Sequence, residues 1–192
     1  ADNIIRVLLD LSRATKLEKK PEDINSLLEN SLLLIQHVPM LANIKIVREL
    51  GKDLPKVSVD RGKMEQVFIN LLLNSVQAMP EGGSLFLRTY QARLNELKGG
   101  IGAFGENYFN PGEAVLAIEI EDTGMGISQE DLKKIFDPFF STKEPGQGTG
   151  LGLSISKNIL SLHKGLIQME SKKNIGTKVT VTLKITDGGA HE

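Results

Sequence analysis

Asn70 and Asn74 enclose three leucines in Asn70-Leu71-Leu72-Leu73-Asn74. Residues four apart share one face of a helix, so the two carboxamides point the same way out of an apolar stretch. Amides in such surroundings need partners and either bond neighbouring main chain or meet a ligand. A carboxamide oxygen is a hard neutral ligand suited to Mg²⁺, an ion that keeps several waters and bridges to nucleotide phosphates, and Asn74 is the residue assigned to it. Asp122-Thr123-Gly124-Met125-Gly126 places a carboxylate at a strand end. Asp122 can accept from an amino group such as that of adenine, while Gly124 and Gly126 let main chain approach a ligand closely. An ordinary Asp-x-Gly turn uses the same residues.

Gly148-Thr149-Gly150-Leu151-Gly152-Leu153 opens a helix, where unpaired N–H groups and the positive end of the dipole receive phosphate oxygens. A tight glycine turn is the other reading. No Lys-Ser or Lys-Thr follows these glycines, and a flexible segment rather than a strand precedes them, so neither the Walker-type loop nor the dinucleotide fingerprint fits. Lys143, just upstream, either adds charge to the phosphates or stays solvated. Phe136-Asp137-Pro138-Phe139-Phe140 places three aromatic rings where they would anchor the near end of that segment to the core. Ser141 to Gln147 has no large apolar group and is expected to move until a phosphate holds it. The hydroxyl of Thr177 either supports Asp122 and an adenine contact or ends a turn.

The elements that position these groups follow from periodicity. Ile4, Leu8 and Leu11 share a helical face from Asp2 to about Lys20, which closes in a cationic run before Pro21. Asp23 caps a helix expected to reach Val38, and Asp60 caps the helix of the two asparagines, about Gly62 to Ala78. Strands are expected near 43–49, 56–59, 84–90, 114–121, 166–170 and 178–185. Ser128 and Asp131 form a capping box for a helix to about Phe136, and a further helix runs from Gly150 to His163. Residues 91–113 read as a hairpin with a long irregular excursion of no assignable role. The whole is a two-layer α/β sandwich: a mixed sheet covered on one face by helices. Residues 21–187 form the domain, 1–20 a short helical appendage and 188–192 a disordered tail.

Composition narrows the classes. The 192 residues are 40% hydrophobic and 24% charged, ordinary for a globular domain. A net charge of −1 provides no broad basic footprint, so no nucleic-acid partner is expected. With no cysteine, disulfides and zinc-thiolate sites are excluded. No apolar run is long enough to span a bilayer.

Taken in order, the Asn-x-x-x-Asn helix, Asp-x-Gly-x-Gly, the Phe-rich segment, Gly-x-Gly-x-Gly and the Gly-Thr strand resemble the GHKL ATPase superfamily. Within it the chain resembles the catalytic domain of a sensor histidine kinase over about residues 21 to 186. Residues 65–80 resemble the N box, 122–126 and 148–153 the glycine boxes, and 136–140 the F box. The resemblance implies that Asn74 binds Mg²⁺, that Asn70 contacts phosphate or metal-bound water, and that Asp122 recognises the adenine of ATP. Asn70, Asn74 and Lys143 would act in transfer. Gly124, Gly126, Ile127, Gly148, Thr149, Gly150, Leu151, Gly152, Leu153 and Thr177 would line the nucleotide. Gln77 stands where many such kinases have a basic residue near phosphate. The hydrolytic relatives, gyrase and the mismatch-repair ATPases, have a glutamate base where Asn70 stands, so transfer rather than hydrolysis is implied.

His37, His163 and His191 lack the context of a phosphoacceptor, which is therefore expected on a dimerisation helix outside this chain, with residues 1–20 the end of the second such helix. Implied partners are that histidine-bearing domain and a response regulator. The full-length protein would be a homodimer, this piece a monomer, and the domain cytoplasmic even if its parent is membrane-anchored. Two other readings stand beside this one: a serine kinase of the anti-sigma type, and a nucleotide-binding regulatory module without transfer activity.

Overall fold

Two aspartates start the two long helices that frame the core. Asp23 accepts the N–H groups of Asn25 and Ser26 at 2.8 and 3.2 Å and opens helix α1, Ile24–Leu34. Asp60 accepts the N–H of Lys63 at 3.1 Å and opens helix α2, Arg61–Gln77. Each satisfies donors that have no partner within the helix. The computed structural model describes residues 17–94, 101–104 as backbone, 109–110, 112–142 and 148–185. Most of the helix read at 2–20, Lys143 with the rest of 143–147, and the tail 188–192 lie outside the described residues.

The strands are β1 (Lys20–Glu22), β2 (Ile44–Leu50), β3 (Val57–Val59), β4 (Gly83–Arg93), β5 (Ile101–Phe104), β6 (Ala114–Asp122), β7 (Leu166–Lys172) and β8 (Gly176–Lys184). Six of them form one mixed sheet in the order β2-β4-β6-β8-β7-β5, and β1 pairs with β3 in a separate antiparallel pair. Among the described residues only β2 and β4 run parallel, and α2 lies in the crossover between them, as a parallel connection requires. Two further helices follow, α3 (Gln129–Leu132) and α4 (Gly152–Leu162). Val67, Phe68, Leu71 and Leu72 of α2 are fully buried or nearly so against Leu85, Leu87, Ile118 and Ile120 of the sheet. Each such side chain contributes about 1.5–3 kcal/mol, so the asparagine helix is fixed by its apolar face. Among the described residues no helix is long and apolar enough to cross a membrane.

The two-layer mixed sandwich is as expected, but several boundaries differ. Residues 17–19 are irregular and Lys20 already pairs with Val59, so the helix expected to reach Lys20 does not extend that far. Pro21 sits in strand β1, where its main chain is extended as the residue before and after a strand pairing demands, and not at a break between elements. Helix α1 stops at Leu34, four residues short of Val38, and a short 3-10 turn, Pro39–Asn43, follows because proline cannot continue an α-helix but suits a first turn. The 91–113 excursion is more than a loop within a hairpin. Ile101–Phe104 pairs antiparallel with β7, on the edge of the sheet opposite β2, while Phe109 packs on Val115 and Leu166. A local pattern cannot reveal a strand whose partner lies across the sheet.

Asp60 carries more than Asp23, because its second oxygen accepts the N–H of Glu18 at 3.0 Å. Burial pushes its carboxyl up, but the N–H groups of Lys63 and Glu18 outweigh this and hold it below the usual range. A depressed carboxyl contributes stability that is complete above its unfolded pKa of about 3.9 and is lost as pH falls through the folded value. Asp60→Ala should therefore cost about 2 kcal/mol in urea unfolding at pH 7, against about 1 for Asp23→Ala. Equal costs would show that the Glu18 bond adds nothing.

Candidate functional site

A buried carboxylate needs donors, and the end of β6 supplies them. Asp122 is 5% exposed, and its Oδ1 accepts the N–H of Gly124 at 2.9 Å and of Thr177 at 3.3 Å. The Ser75 hydroxyl, on α2, adds a third hydrogen bond. Burial nevertheless wins and pushes the carboxyl above its usual range, with Glu121 beside it adding to the rise. The hydroxyl of Thr177 lies 2.9 Å from that of Ser171. Ser171 Oγ donates to the Gly176 carbonyl and accepts the N–H of Ile127 at 2.8 Å, so its one proton is used and Thr177 must donate to it. Thr177 therefore both supports Asp122 through its N–H and keeps its hydroxyl lone pairs available.

The glycines of the 122–126 segment serve close packing within the protein. A Cβ on Gly124 would lie 2.5 Å from the Ala78 carbonyl oxygen at the end of α2, and one on Gly126, at φ +62°, would lie 2.1 Å from that of Lys172. One on Gly176 would come within 1.9 Å of the carbonyl oxygen of Asp122. Gly124 and Gly126 thus let the loop after β6 sit on α2 and on the β7–β8 turn, a packing role beside the ligand approach expected of them. Ile127 packs partly buried against the core and meets the site through its N–H.

The second glycine segment shows the same economy. Gly150, at φ +65°, presses on the Phe139 main chain, 2.4 Å from a built Cβ, and its carbonyl accepts the Phe139 N–H at 3.0 Å. This contact holds Phe139 at φ +66° and turns its ring outward, 56% exposed. Of the three rings expected to anchor this segment, Phe136 is buried and Phe140 partly so, while Phe139 anchors by main chain alone. The helix begins at Gly152, two residues later than expected, and no side chain caps it. Its first N–H groups thus remain for an anion. Leu151 is buried and Leu153 partly so, leaving only their main chain for a ligand; Gly148 and Thr149 are exposed. Thr149 Oγ1 accepts the Leu151 N–H at 3.4 Å.

Asn70 joins the two helices. Its Nδ2 donates to the Gly152 carbonyl at 3.3 Å and to Ser156 Oγ at 3.4 Å, which places the carboxamide beside the first turn of α4. Asn74, half-buried, is one turn further along the same face of α2, towards Ser75 and Asp122. The structure therefore brings Asn70, Asn74, Asp122, Thr177 and the start of α4 around one region. Lys143 lies outside the described residues. Sequence reasoning missed Ser75, Ser156 and Ser171. Ser171 was accessible, because the β7–β8 hairpin register pairs it with Thr177. Ser75 follows Asn74 directly, but nothing local says that it turns towards a carboxylate.

Residues 59–187 match the family of histidine kinase-, DNA gyrase B- and HSP90-like ATPases. The chain belongs to that family. It is 34% identical over 188 residues to the signal transduction histidine-protein kinase AtoS of Escherichia coli, covering 98% of this chain and 28% of that protein. To the sensor kinase CckA of Brucella abortus it is 37% identical over 184 residues, 95% of this chain and 19% of that one. It spans a minor part of either relative. The catalytic domain of the histidine kinase ThkA superposes with a TM-score of 0.68 at 27% identity, covering 88% of this chain and 97% of that one. Full-length ShkA, solved with AMPPNP, shares the fold at a TM-score of 0.72 and 21% identity, over 98% of this chain and 37% of that one. This histidine kinase-like ATPase domain therefore has the α/β architecture of the superfamily.

Two tests follow from the packing. Gly126→Ala and Gly176→Ala should each lose at least about 3 kcal/mol or fail to fold, since main chain cannot yield. Gly152→Ala, whose Cβ would find its nearest neighbour at 3.7 Å, should keep the wild-type melting temperature. A raised carboxyl contributes most to stability when protonated, below its unfolded pKa of about 3.9, and this is lost as pH rises through the folded value. Asp122→Asn should thus melt above wild type at pH 7, the difference closing towards pH 4; a variant less stable at pH 7 would contradict this.

Proposed function

We propose that this chain is the ATP-binding catalytic domain of a two-component sensor histidine kinase, passing the γ-phosphoryl group of ATP to a histidine on a dimerisation domain outside it. The reading rests on one observation above others: the residue nearest the start of α4 is a neutral amide, Asn70, already donating to Gly152 and Ser156. An amide cannot deprotonate water, so hydrolysis has no base at this position. An imidazole nitrogen needs none; it attacks phosphorus once positioned, and the bond to the bridging oxygen of the ADP leaving group breaks.

The donor set fits the nucleotide. Asp122 keeps acceptor capacity beyond its two main-chain N–H groups and would take the adenine amino group, with the Thr177 hydroxyl oxygen beside it. The uncapped start of α4 would hold phosphates through the N–H groups of Gly152 and Leu153. Asn74 would bind Mg²⁺, which neutralises phosphate charge, and Lys143 would add a cation. ShkA, solved with AMPPNP, supports a nucleotide, and ThkA, solved in complex with the response regulator protein TrrA, supports a regulator as downstream partner. We place residues 17–187 as the catalytic domain, since residues 18–20 already bond it, and the end of a dimerisation helix before them, in a homodimeric parent whose kinase core is cytoplasmic.

Calorimetric titration with a non-hydrolysable ATP analogue, with and without Mg²⁺, tests the site. Asp122→Asn places an amide nitrogen against the adenine amine and should weaken binding about 10- to 100-fold. Asn74→Ala should abolish the Mg²⁺ dependence. Radiolabelled ATP and a separate histidine-bearing dimerisation domain test the transfer: an acid-labile, base-stable phosphoryl label on that domain is expected. An acid-stable label on a serine instead would identify a serine kinase, and no label at all a binding module.

A further inference from the structure

His163, at the C-terminal end of α4, is 7% exposed and is not part of the nucleotide region. Its Nε2 lies 2.9 Å from the main-chain nitrogen of Asp60, which can only donate, so Nε2 is an acceptor and carries no proton. The ring proton therefore sits on Nδ1, which donates to the Ile159 carbonyl at 2.8 Å. This arrangement exists only for the neutral ring. Asp60 is the N-cap of α2, and its carboxylate is used by the N–H groups of Lys63 and Glu18. Lys19 Nζ, in turn, donates to the Leu162 carbonyl at 3.1 Å, one residue before His163. One imidazole thus joins the end of the helix whose start receives phosphate to the start of the helix bearing Asn70 and Asn74, at the point where residues 18 and 19 enter.

We propose that neutral His163 is a positioning residue that sets the two nucleotide-framing helices relative to each other through the Asp60 main chain. This rests on the nucleotide reading above. The helices meet at one end through Asn70, Gly152 and Ser156 and at the other through His163 and Asp60, so both ends of α4 are referenced to α2. Protonation at Nε2 would set two donors face to face. The charged groups acting on the ring are Lys19 from the entering segment and Asp60 at the start of α2; Lys164 acts in turn on Lys19 and Lys63 on Asp60. Burial and then Lys19 hold the imidazole below its usual range, although the Ile159 and Asp60 interactions oppose this. The contact is therefore intact at neutral pH and is released as pH falls through that lowered value. By linkage, a nucleotide that favours the joined helices must lower the His163 pKa further.

The test measures the affinity of this chain for Mg²⁺ and AMPPNP between pH 5 and 8, for wild type, His163→Gln and His163→Ala. Glutamine can still accept from Asp60 without titrating, and dividing wild type by the glutamine variant cancels proton uptake by the nucleotide and Asp122. At pH 7.5 the glutamine variant should bind within about twofold of wild type and the alanine variant about fivefold more weakly. Towards pH 5 wild type should weaken relative to glutamine by about fivefold. A flat ratio, or an alanine variant with wild-type affinity and reduced melting temperature, would make His163 a packing residue and overturn the proposal. Should the variants fail to fold, nitrogen chemical shifts of the His163 ring in wild type decide: its pKa should fall on nucleotide addition, and an unchanged value overturns the inference. Asp122→Asn in the same series separates the two claims. If it binds as wild type does, the nucleotide site is mislocated; if it loses binding while the ratio stays flat, only the role of His163 is wrong.

Discussion

The burial of one carboxylate, that of Asp122, constrains the region around the end of β6. Asp122 ends a central strand with almost no exposure, and a charge there persists only when donors surround it. Those donors are main-chain N–H groups from the loop that follows and from the start of β8, with a hydroxyl from α2. Three chain segments must therefore converge within hydrogen-bonding distance of one side chain. They do so only because Gly124, Gly126 and Gly176 have no Cβ where Ala78, Lys172 and Asp122 present their carbonyls. The motif is a consequence of the carboxylate, read through packing.

The phosphate side is built differently. Helix α4 begins without a side-chain cap; Ile159 and Leu160 seat its body in the core, and polar or main-chain contacts fix its ends: Asn70 and Ser156 at the first turn, the Phe139 main chain against Gly150, and His163 against Asp60 at the last. The hydrogen bonds among these contacts are worth about 1 kcal/mol each, added to the apolar packing that α4 shares with α2 in one core.

Much of this was legible in the residues. Asp23, Asp60 and Ser128 announce their helices by capping chemistry, which is local, and each caps where expected. The apolar stripe of α2 and the alternation in β8 are likewise properties of single segments. What could not be read depends on distant partners. Strand β5 exists by pairing with β7, more than sixty positions later, and the outward turn of Phe139 is imposed by Gly150. The asparagines, Asp122 and Thr177 were found as residue types, whereas Ser75 and Ser171 needed the fold, because a serine carries no signal until its neighbour is known.

The role of Asn70 shows how function and stability share one group. Its amide nitrogen bonds the first turn of α4, so replacing it by a glutamate base would remove both donors and set a carboxylate against a carbonyl and a helix start already committed to anions. The helix dipole would favour that carboxylate, but in competition with phosphate. In this chain the inter-helix hydrogen bonds and the lack of a base at this position are two results of the same carboxamide, and the proposed phosphoryl transfer, to a nucleophile that needs no deprotonation, is compatible with both.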